Sequence, residues 1–398
     1  MKLFYDSLEK EWYHTDGMDI SFGKNSKSIP VKFTAADEPV FTADVFHSFI
    51  PAIGIMSCRS PKNKEVISGN AVLFQSLHRY LTRHNIFSFI FTAEDVLEGN
   101  WRGLVYSESE QKWLRMAVPL PSLVYNRIPF RKFEESDSYQ QLKQLFEELD
   151  IPMFNPGFID KYALYRCLKK DRFLVNYLPE TFRLTSETQL LFLLQKYGSL
   201  YLKPGKGNRG RGILLVTLNK NQSITVKKTS GTKNFPTLNE FWLDEGKRLV
   251  KKNYIAQRAI TPKKINGHRY DFRILTHYWK GNYHISGKAI RMSQTQEVTT
   301  HIPKGGILYP YKNLQSQELD LLLNQITQQC GIALSKENGF YGEFSIDLGQ
   351  DESGQLFIYE INAKPMQFDE EEIERTRLKM LKNLFITIVL EKNNNRTQ

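Results

Sequence analysis

The sequence predicts a chain that is α/β in its first half and α+β in its second. In the first half, an apolar run at Ala52–Met56 precedes a helical period from about Ser68 to His84 and a second apolar run at Phe87–Phe91. Strand, helix and strand at that spacing form a βαβ unit, which implies parallel pairing in an open sheet. Past about residue 150, strand-like runs joined by tight turns alternate with helices that carry their own start signals. That pattern belongs to antiparallel sheets with helices beside them.

Each element follows from local composition. Residues 1–50 alternate apolar and polar side chains between turn formers such as Gly17, Gly23 and Asn25, and are expected to form a small β-rich unit. The helix from about Ser68 carries Val72, Leu73, Leu77 and Leu81 at helical spacing. Two runs, Gly103–Ser107 and Leu123–Arg127, extend the sheet, and a polar helix from about Ser138 to Leu149 follows. The expected division is therefore 1–50, 51–150 and 151–398. In the last part a helix runs from Asp160 to about Lys170. Ser186 with Gln189 and Thr237 with Glu240 read as capping boxes, the first helix closed by Gly198 and the second ending near Lys252. Strands are expected at Ser199–Lys203, Ile213–Thr217, Tyr254–Ala259, Tyr270–Trp279 and Tyr283–Met292, the last two joined at Lys280-Gly281-Asn282. Helices from about Ser316 to Cys330 and from about Asp369 to Lys392 complete the chain.

Composition narrows the function. With 41% hydrophobic and 24% charged residues the chain is globular, not disordered. A formal charge of +11 implies an acidic partner: a nucleotide, a nucleic acid, an anionic polymer or a carboxylate-rich peptide. Lysine and arginine are spread along the chain, which disfavours nucleic acid. Cys58, Cys167 and Cys330 are too few and too far apart for a disulfide framework or a zinc site, and fit a reduced compartment. No run of about 18 apolar residues is present, and the opening residues lack an apolar stretch of signal-peptide length, so a cytoplasmic protein without a membrane span is expected.

Two segments carry chemistry. Gly342–Asp347 and Tyr359–Ala363 are strand-like runs that bring carboxylates close to an amide: Glu360 and Asn362, two apart, project from one face. Hard oxygen ligands of this kind suit Mg2+, which takes one or two carboxylates and completes its shell with substrate phosphates. Asp347 joins them only if its strand pairs with that of Glu360 in the matching register. Upstream, Lys203-Pro204-Gly205-Lys206-Gly207-Asn208-Arg209-Gly210-Arg211-Gly212 lies between two strands as a hairpin loop. Its glycines let backbone N–H groups approach an anion, and its lysines and arginines add charge. It is not a Walker A loop, since Arg211-Gly212 stands where Lys-Ser/Thr is needed and no helix follows.

Taken in order, Lys161, Lys203, Gln257-Arg258-Ala259-Ile260, Asp271-Phe272-Arg273, Arg291, Asp347 and Glu360-Ile361-Asn362 resemble the ATP-grasp superfamily. From about Ala52 onward, with Phe154-Asn155-Pro156 and Asp160-Lys161-Tyr162, the chain resembles its YheC/YheD type, associated with endospore coats. The resemblance implies a pre-ATP-grasp α/β domain and then, over 151–398, an ATP-grasp domain whose two α+β lobes grip ATP. It implies phosphate contacts from Lys161 and Lys203, with Lys203 also near the adenine, and a flap over the triphosphate from the loop containing Gly205, Gly207, Arg209, Gly210 and Gly212. Gln257, Arg258, Ala259 and Ile260 would form the hinge against the adenine, and Asp271 would meet the ribose. Arg273 and Arg291 would stabilise charge on the transferring phosphoryl group or acyl-phosphate, and Asp347, Glu360 and Asn362 would hold Mg2+. His301 belongs with the nucleotide group, in a stretch where related ligases commonly carry Asn at its position and His at that of Pro303.

The resemblance leaves two readings. One is an ATP- and Mg2+-dependent ligase joining a carboxylate to an amine or thiol through an acyl-phosphate, its substrate and acceptor unidentified. The other is a nucleotide-binding structural or regulatory protein of the spore. Both admit spore-coat proteins as partners.

Overall fold

Alternating polar and apolar residues at the start of the chain build six short strands, β1 (Lys2–Asp6), β2 (Glu11–His14), β3 (Ser21–Phe22), β4 (Lys27–Ser28), β5 (Phe41–Thr42) and β6 (Phe49–Ile50). They form two three-stranded sheets, ordered β2-β1-β5 and β4-β3-β6. The computed structural model describes residues 1–24, 27–35, 38–43, 49–97, 99, 101–207, 211–293 and 306–394, with the side chains of 392–394 left aside. The first unit does not stand apart, because one cluster of buried side chains runs from Leu3 and Trp12 through Phe87, Phe89 and Phe91 to Phe146 and Ile151. Trp12 Nε1 donates to Ala117 O at 2.8 Å, pinning its ring on the next sheet.

That sheet is the expected βαβ unit, extended. β7 (Ala52–Met56), helix α1 (Ala71–Thr82), β8 (Phe87–Phe91), β9 (Arg102–Ser107), β10 (Lys112–Ala117) and β11 (Leu123–Asn126) follow one another. Short α2 (Arg131–Glu134), α3 (Asp137–Glu148) and β12 (Met153–Phe154) complete the order β10-β9-β8-β7-β11-β12. β7 pairs in parallel with both β8 and β11, while β9 and β10 form an antiparallel hairpin at one edge. β10 was absent from the expectation: its Lys112, Arg115 and half-buried partners give an edge strand little apolar signal. Helix α1 begins later than its period suggests, since Asn70 caps it by accepting from Leu73 N, and Val72 faces out at 58% exposure.

The second half is two antiparallel sheets. α4 (Lys161–Leu168), β13 (Thr181–Arg183), α5 (Glu187–Tyr197), β14 (Ser199–Pro204), β15 (Leu214–Leu218), β16 (Ile224–Lys228), β17 (Gly231–Phe235), α6 (Leu238–Lys251) and β18 (Tyr254–Arg258) come first. Their sheet runs β13-β18-β14-β15-β16-β17, with α5 and α6 on one face over Leu200, Leu202, Leu214, Val216 and Val226. Ser186 caps α5 as expected by accepting from Gln189 N, but Gln189 Oε1 reaches Thr185 N, one residue earlier than a capping box requires. Then come β19 (Lys264–Ile265), β20 (His268–Trp279), β21 (Asn282–Ser293), β22 (Gly306–Tyr309), α7 (Gln317–Asn338), β23 (Glu343–Gln350), β24 (Leu356–Asn362) and α8 (Glu371–Asn394). This sheet is ordered β22-β21-β20-β23-β24, with α7 over Tyr270, Phe272, Ile274, Phe344 and Ile346. α7 outruns its expected end at Cys330 because Gly331, a residue that often closes a helix, is instead held mid-helix where a Cβ would meet the Tyr283 ring at 2.3 Å.

α8 returns to the first half. Leu381, Leu384, Phe385 and Val389 pack with Ile53, Ile55, Leu77, Leu81 and Tyr125, so the α/β sheet is covered by α1 and α8 on the face opposite the N-terminal strands. Among the described residues no helix is long and apolar enough to cross a membrane.

Candidate nucleotide and metal site

The first antiparallel sheet has α5 and α6 on its outer face and the second has α7, while α8 covers part of the second sheet's inner face at Leu275, Gly287 and Ala289; the faces left open meet across a cavity of about 1420 Å³. The α/β sheet supplies the third wall through Ser68–Val72, at the start of α1, and Arg127–Phe130, after β11. These segments follow the carboxyl ends of β7 and β11, on either side of the point where the strand order turns, which is where open α/β sheets take ligands.

Register decides what the sheets present. Asp347 pairs directly with Glu360, Ser345 with Asn362 and Arg273 with Asp347, while Asp271 sits opposite Arg291. Asp271, Arg273, Arg291, Asp347, Glu360 and Asn362 therefore line one cavity. β24 reaches this arrangement through an irregularity: Leu348 opposes Ile358 and Asp347 opposes Glu360, leaving Tyr359 as an extra residue. Without it, strict alternation would turn Glu360 and Asn362 to the core face that Leu356 and Ile358 occupy.

The charged groups are preorganised in pairs. Lys161 Nζ hydrogen-bonds Glu360 Oε1, and Arg291 Nη2 donates to Asp347 Oδ1 at 3.1 Å. Asn362 Nδ2 donates to Asp347 Oδ2 at 3.3 Å. The Arg273 guanidinium lies 4.9 Å from the Phe368 ring centre, and burial lowers its pKa against the pull of Asp347. Among the described residues, the Nε atoms of Arg273 and Arg291 are buried with no hydrogen-bond partner. Both side chains line the cavity, and guanidinium groups there are suited to an anion. Two carboxylates and an amide oxygen, with cations already drawn to the carboxylates, also fit the donor set that Mg2+ takes beside substrate phosphates.

On the facing sheet, Lys203 Nζ donates to Gln257 Oε1 at 2.6 Å. Burial pushes the Lys203 ammonium down to about 8, helped by Lys161 and opposed by Glu360 and Asp271. Ile260 and Arg258 line the same cavity, whereas Arg258 N–H goes to Glu180 O and Ala259 N–H to Ser199 O. Those two backbone donors therefore tie strands together.

Of the glycine-rich loop, Arg211 lines the cavity. Gly205 instead packs at the start of α4, its O accepting from Lys161 N at 3.1 Å, and Gly212 O accepts from Tyr254 OH at 2.9 Å. Gly207 N donates to Pro204 O within the turn. Arg209, Gly210 and His301 lie outside the described residues.

The sequence reading missed several groups. Lys364, two residues beyond Asn362, lines the cavity while donating to Asn126 Oδ1, Ile128 O and Glu134 Oε1, and burial lowers it to about 8 against the pull of Glu134. Arg127 donates to Glu343 Oε2 at 3.2 Å and to Pro365 O at 2.9 Å, and Arg377 Nη2 reaches the same carbonyl at 3.2 Å. Glu343 is fully buried between them. Burial alone would raise its pKa, but Arg377, His277 and Arg127 outweigh it and hold the carboxyl well below its ordinary range. Of these, only Arg127, the basic residue directly after β11 at a strand's carboxyl end, left a sequence signal.

A cavity gripped between the open faces of two antiparallel sheets, with an α/β unit ahead of them, defines the ATP-grasp class. The chain belongs to the YheC/D-like ATP-grasp family, whose model matches residues 150–386. It is similar to the endospore coat-associated protein YheD of Bacillus subtilis (strain 168), at 29% identity over 296 residues, 70% of this chain and 64% of that protein. The alignment thus spans less than two thirds of that relative's length. The endospore coat-associated protein YheC of the same organism is 23% identical over 292 residues, 69% of this chain and 79% of that protein. Among solved structures, the VanG D-Ala:D-Ser ligase from Enterococcus faecalis shares the fold with a TM-score of 0.51 at 13% identity, over 85% of this chain and 99% of that one.

Proposed function

We propose that this protein is an ATP- and Mg2+-dependent ligase that joins a carboxylate to an amine or thiol. The reading is carried by the convergence, in one cavity, of Arg273, Arg291, Asp347, Glu360 and Asn362 from one sheet with Lys203, Gln257 and Arg258 from the other. Mg2+ held by Asp347, Glu360 and the Asn362 amide oxygen would neutralise charge on the β- and γ-phosphates.

Lys203 and Lys161 bind phosphate oxygens, Ile260 lies against the base and Asp271 meets the ribose. A substrate carboxylate oxygen forms a bond to the γ-phosphorus as the bond to the ADP oxygen breaks, giving an acyl-phosphate. Arg273 and Arg291 stabilise the charge on the equatorial oxygens. The acceptor nitrogen or sulfur then attacks the carbonyl carbon, phosphate leaves, and the acceptor loses its proton. The enzyme works by positioning and charge stabilisation, without a protein nucleophile. The carboxylate enters along the α/β wall at Ser68–Val72 and Arg127–Phe130. At about 1420 Å³ the cavity exceeds the roughly 300–1,000 Å³ of common ligand pockets, room for a nucleotide and a second substrate together. Relatives named for the endospore coat make spore-coat proteins its candidate partners.

Phosphate release from ATP and Mg2+, screened over amino acids and peptides, tests this reading. Release should require a carboxylate and an acceptor together and vanish in Glu360→Ala. Equal release by Glu360→Ala would overturn the metal assignment, and failure of the wild-type protein to bind ATP would overturn the whole reading.

A further inference from the structure

Behind Lys203 stands a chain of hydrogen bonds whose direction is fixed. Thr181 on β13 pairs directly with Gln257 on β18, and Gln257 with Tyr201 on β14, so Lys203 is Gln257's diagonal neighbour. Thr181 is 2% exposed and Gln257 7%. Lys203 Nζ donates to Gln257 Oε1 at 2.6 Å, Gln257 Nε2 donates to Thr181 Oγ1 at 3.0 Å, and Thr181 Oγ1 donates to Pro179 O at 2.8 Å.

Donor and acceptor counting leaves one arrangement. A carbonyl only accepts, so the single hydroxyl proton of Thr181 goes to Pro179 O and its oxygen is left to accept. Gln257 must then turn its NH2 to Thr181 and its C=O to Lys203. The reverse orientation would set an amide N–H against an ammonium and leave Pro179 O without its proton. We propose that Thr181 is a positioning residue of the nucleotide site, fixing the Gln257 amide so that its oxygen anchors the Lys203 ammonium where it meets the phosphates. The inference rests on the nucleotide reading above, and adds a residue that touches neither nucleotide nor Lys203.

The consequence lies in pH. The groups facing Lys203 are Lys161 on α4, Arg269 and Asp271 on β20, Glu360 and Tyr359 on β24, and Tyr201 beside it. Burial holds Lys203 near 8, and an oxygen that accepts from its Nζ at 2.6 Å favours the charged form. Without Thr181 the amide is free to turn, the charged form loses its acceptor, and the loss of ATP binding with rising pH sets in at a lower pH. One pKa unit is tenfold in protonation equilibrium.

ATP with Mg2+ titrated by calorimetry from pH 6.5 to 9.5 tests the relay. Thr181→Val should bind within about twofold of wild type at the acid end and about three- to tenfold more weakly at the basic end. Thr181→Ser should behave as wild type, and Thr181→Val/Gln257→Glu, with an acceptor on either side, should recover the basic limb. Gln257→Met, with Thr181 intact, should reproduce the basic-side loss and serves if Thr181→Val fails to fold. A Thr181→Val profile that overlays wild type, while Lys203→Met weakens binding, overturns the inference alone. Wild-type protein that does not bind ATP, or Lys203→Met that binds as wild type, overturns the nucleotide reading and the inference with it.

Discussion

Replacing Glu343 with glutamine should destabilise the protein by about 3–6 kcal/mol, because its carboxylate satisfies four donors that a glutamine cannot. Oε1 accepts from Arg377 Nε at 2.6 Å and lies 3.2 Å from His277 Nε2, and Oε2 accepts from Arg127 Nη1 at 3.2 Å and from Tyr125 OH. An amide presents one acceptor oxygen and one donor nitrogen, so at least two donors lose their acceptor. A hydrogen bond to a charged group contributes about 1.5–3 kcal/mol, and breaking a buried ion pair costs about 3–5 kcal/mol, so the two routes agree. Against a total stability of about 5–15 kcal/mol this is a large share. The damage should also reach the site, since Arg127 and Arg377 both hold Pro365 O, three residues beyond Asn362. Urea unfolding followed by circular dichroism at pH 7 measures the loss. The depressed pKa of Glu343 contributes stability above its unfolded value and loses it as pH falls through the folded one, so the gap between variant and wild type should persist to about pH 4 and close only in stronger acid. Glu343→Met/Arg377→Met should be milder than either single change. A loss under about 1 kcal/mol at pH 7 would refute the donor count.

Arg273→Lys should lower turnover about 10²- to 10³-fold with little change in the KM for ATP, since a lysine cannot reproduce the guanidinium's fork of donors over Phe368; steady-state phosphate release checks it. Gly205→Ala should destabilise the protein, because the new Cβ would stand 2.8 Å from Asn253 O and 2.9 Å from Asp160 Oδ2. Asp160 caps α4 through Tyr162 N and Ala163 N, so a loss of about 0.5–2 kcal/mol in thermal or urea unfolding, with weaker ATP binding through Lys161, is the expected result.

Much of the fold was legible because its signals are local. The βαβ unit shows in apolar runs separated by a helical period, and Ser186, Thr237 and Asp160 mark helix starts that their side chains do cap. Edge strands β10 and β17, and β16 beside β17, were not expected, since their lysines and other polar residues read as loop. At the site, the carboxylates and arginines could be named by their place in a family's order. Thr181, Lys364 and Phe368 could not, because they act through neighbours that lie next to them only in the folded chain.

The sequence by itself determined which chemistry is available: oxygen ligands two apart on a strand, a basic glycine loop, ordered lysines and arginines, and the element types that carry them. Tertiary structure alone decided that these groups meet. Asp347 faces Glu360 because β23 and β24 pair in that register with Tyr359 as an extra residue, a choice that depends on Ile358 and Ile361 reaching one core. Glu343 finds Arg127 across 216 positions for the same reason. Strand register and long-range ion pairing are set by which faces bury together, and a chain read along its length does not say which faces those are.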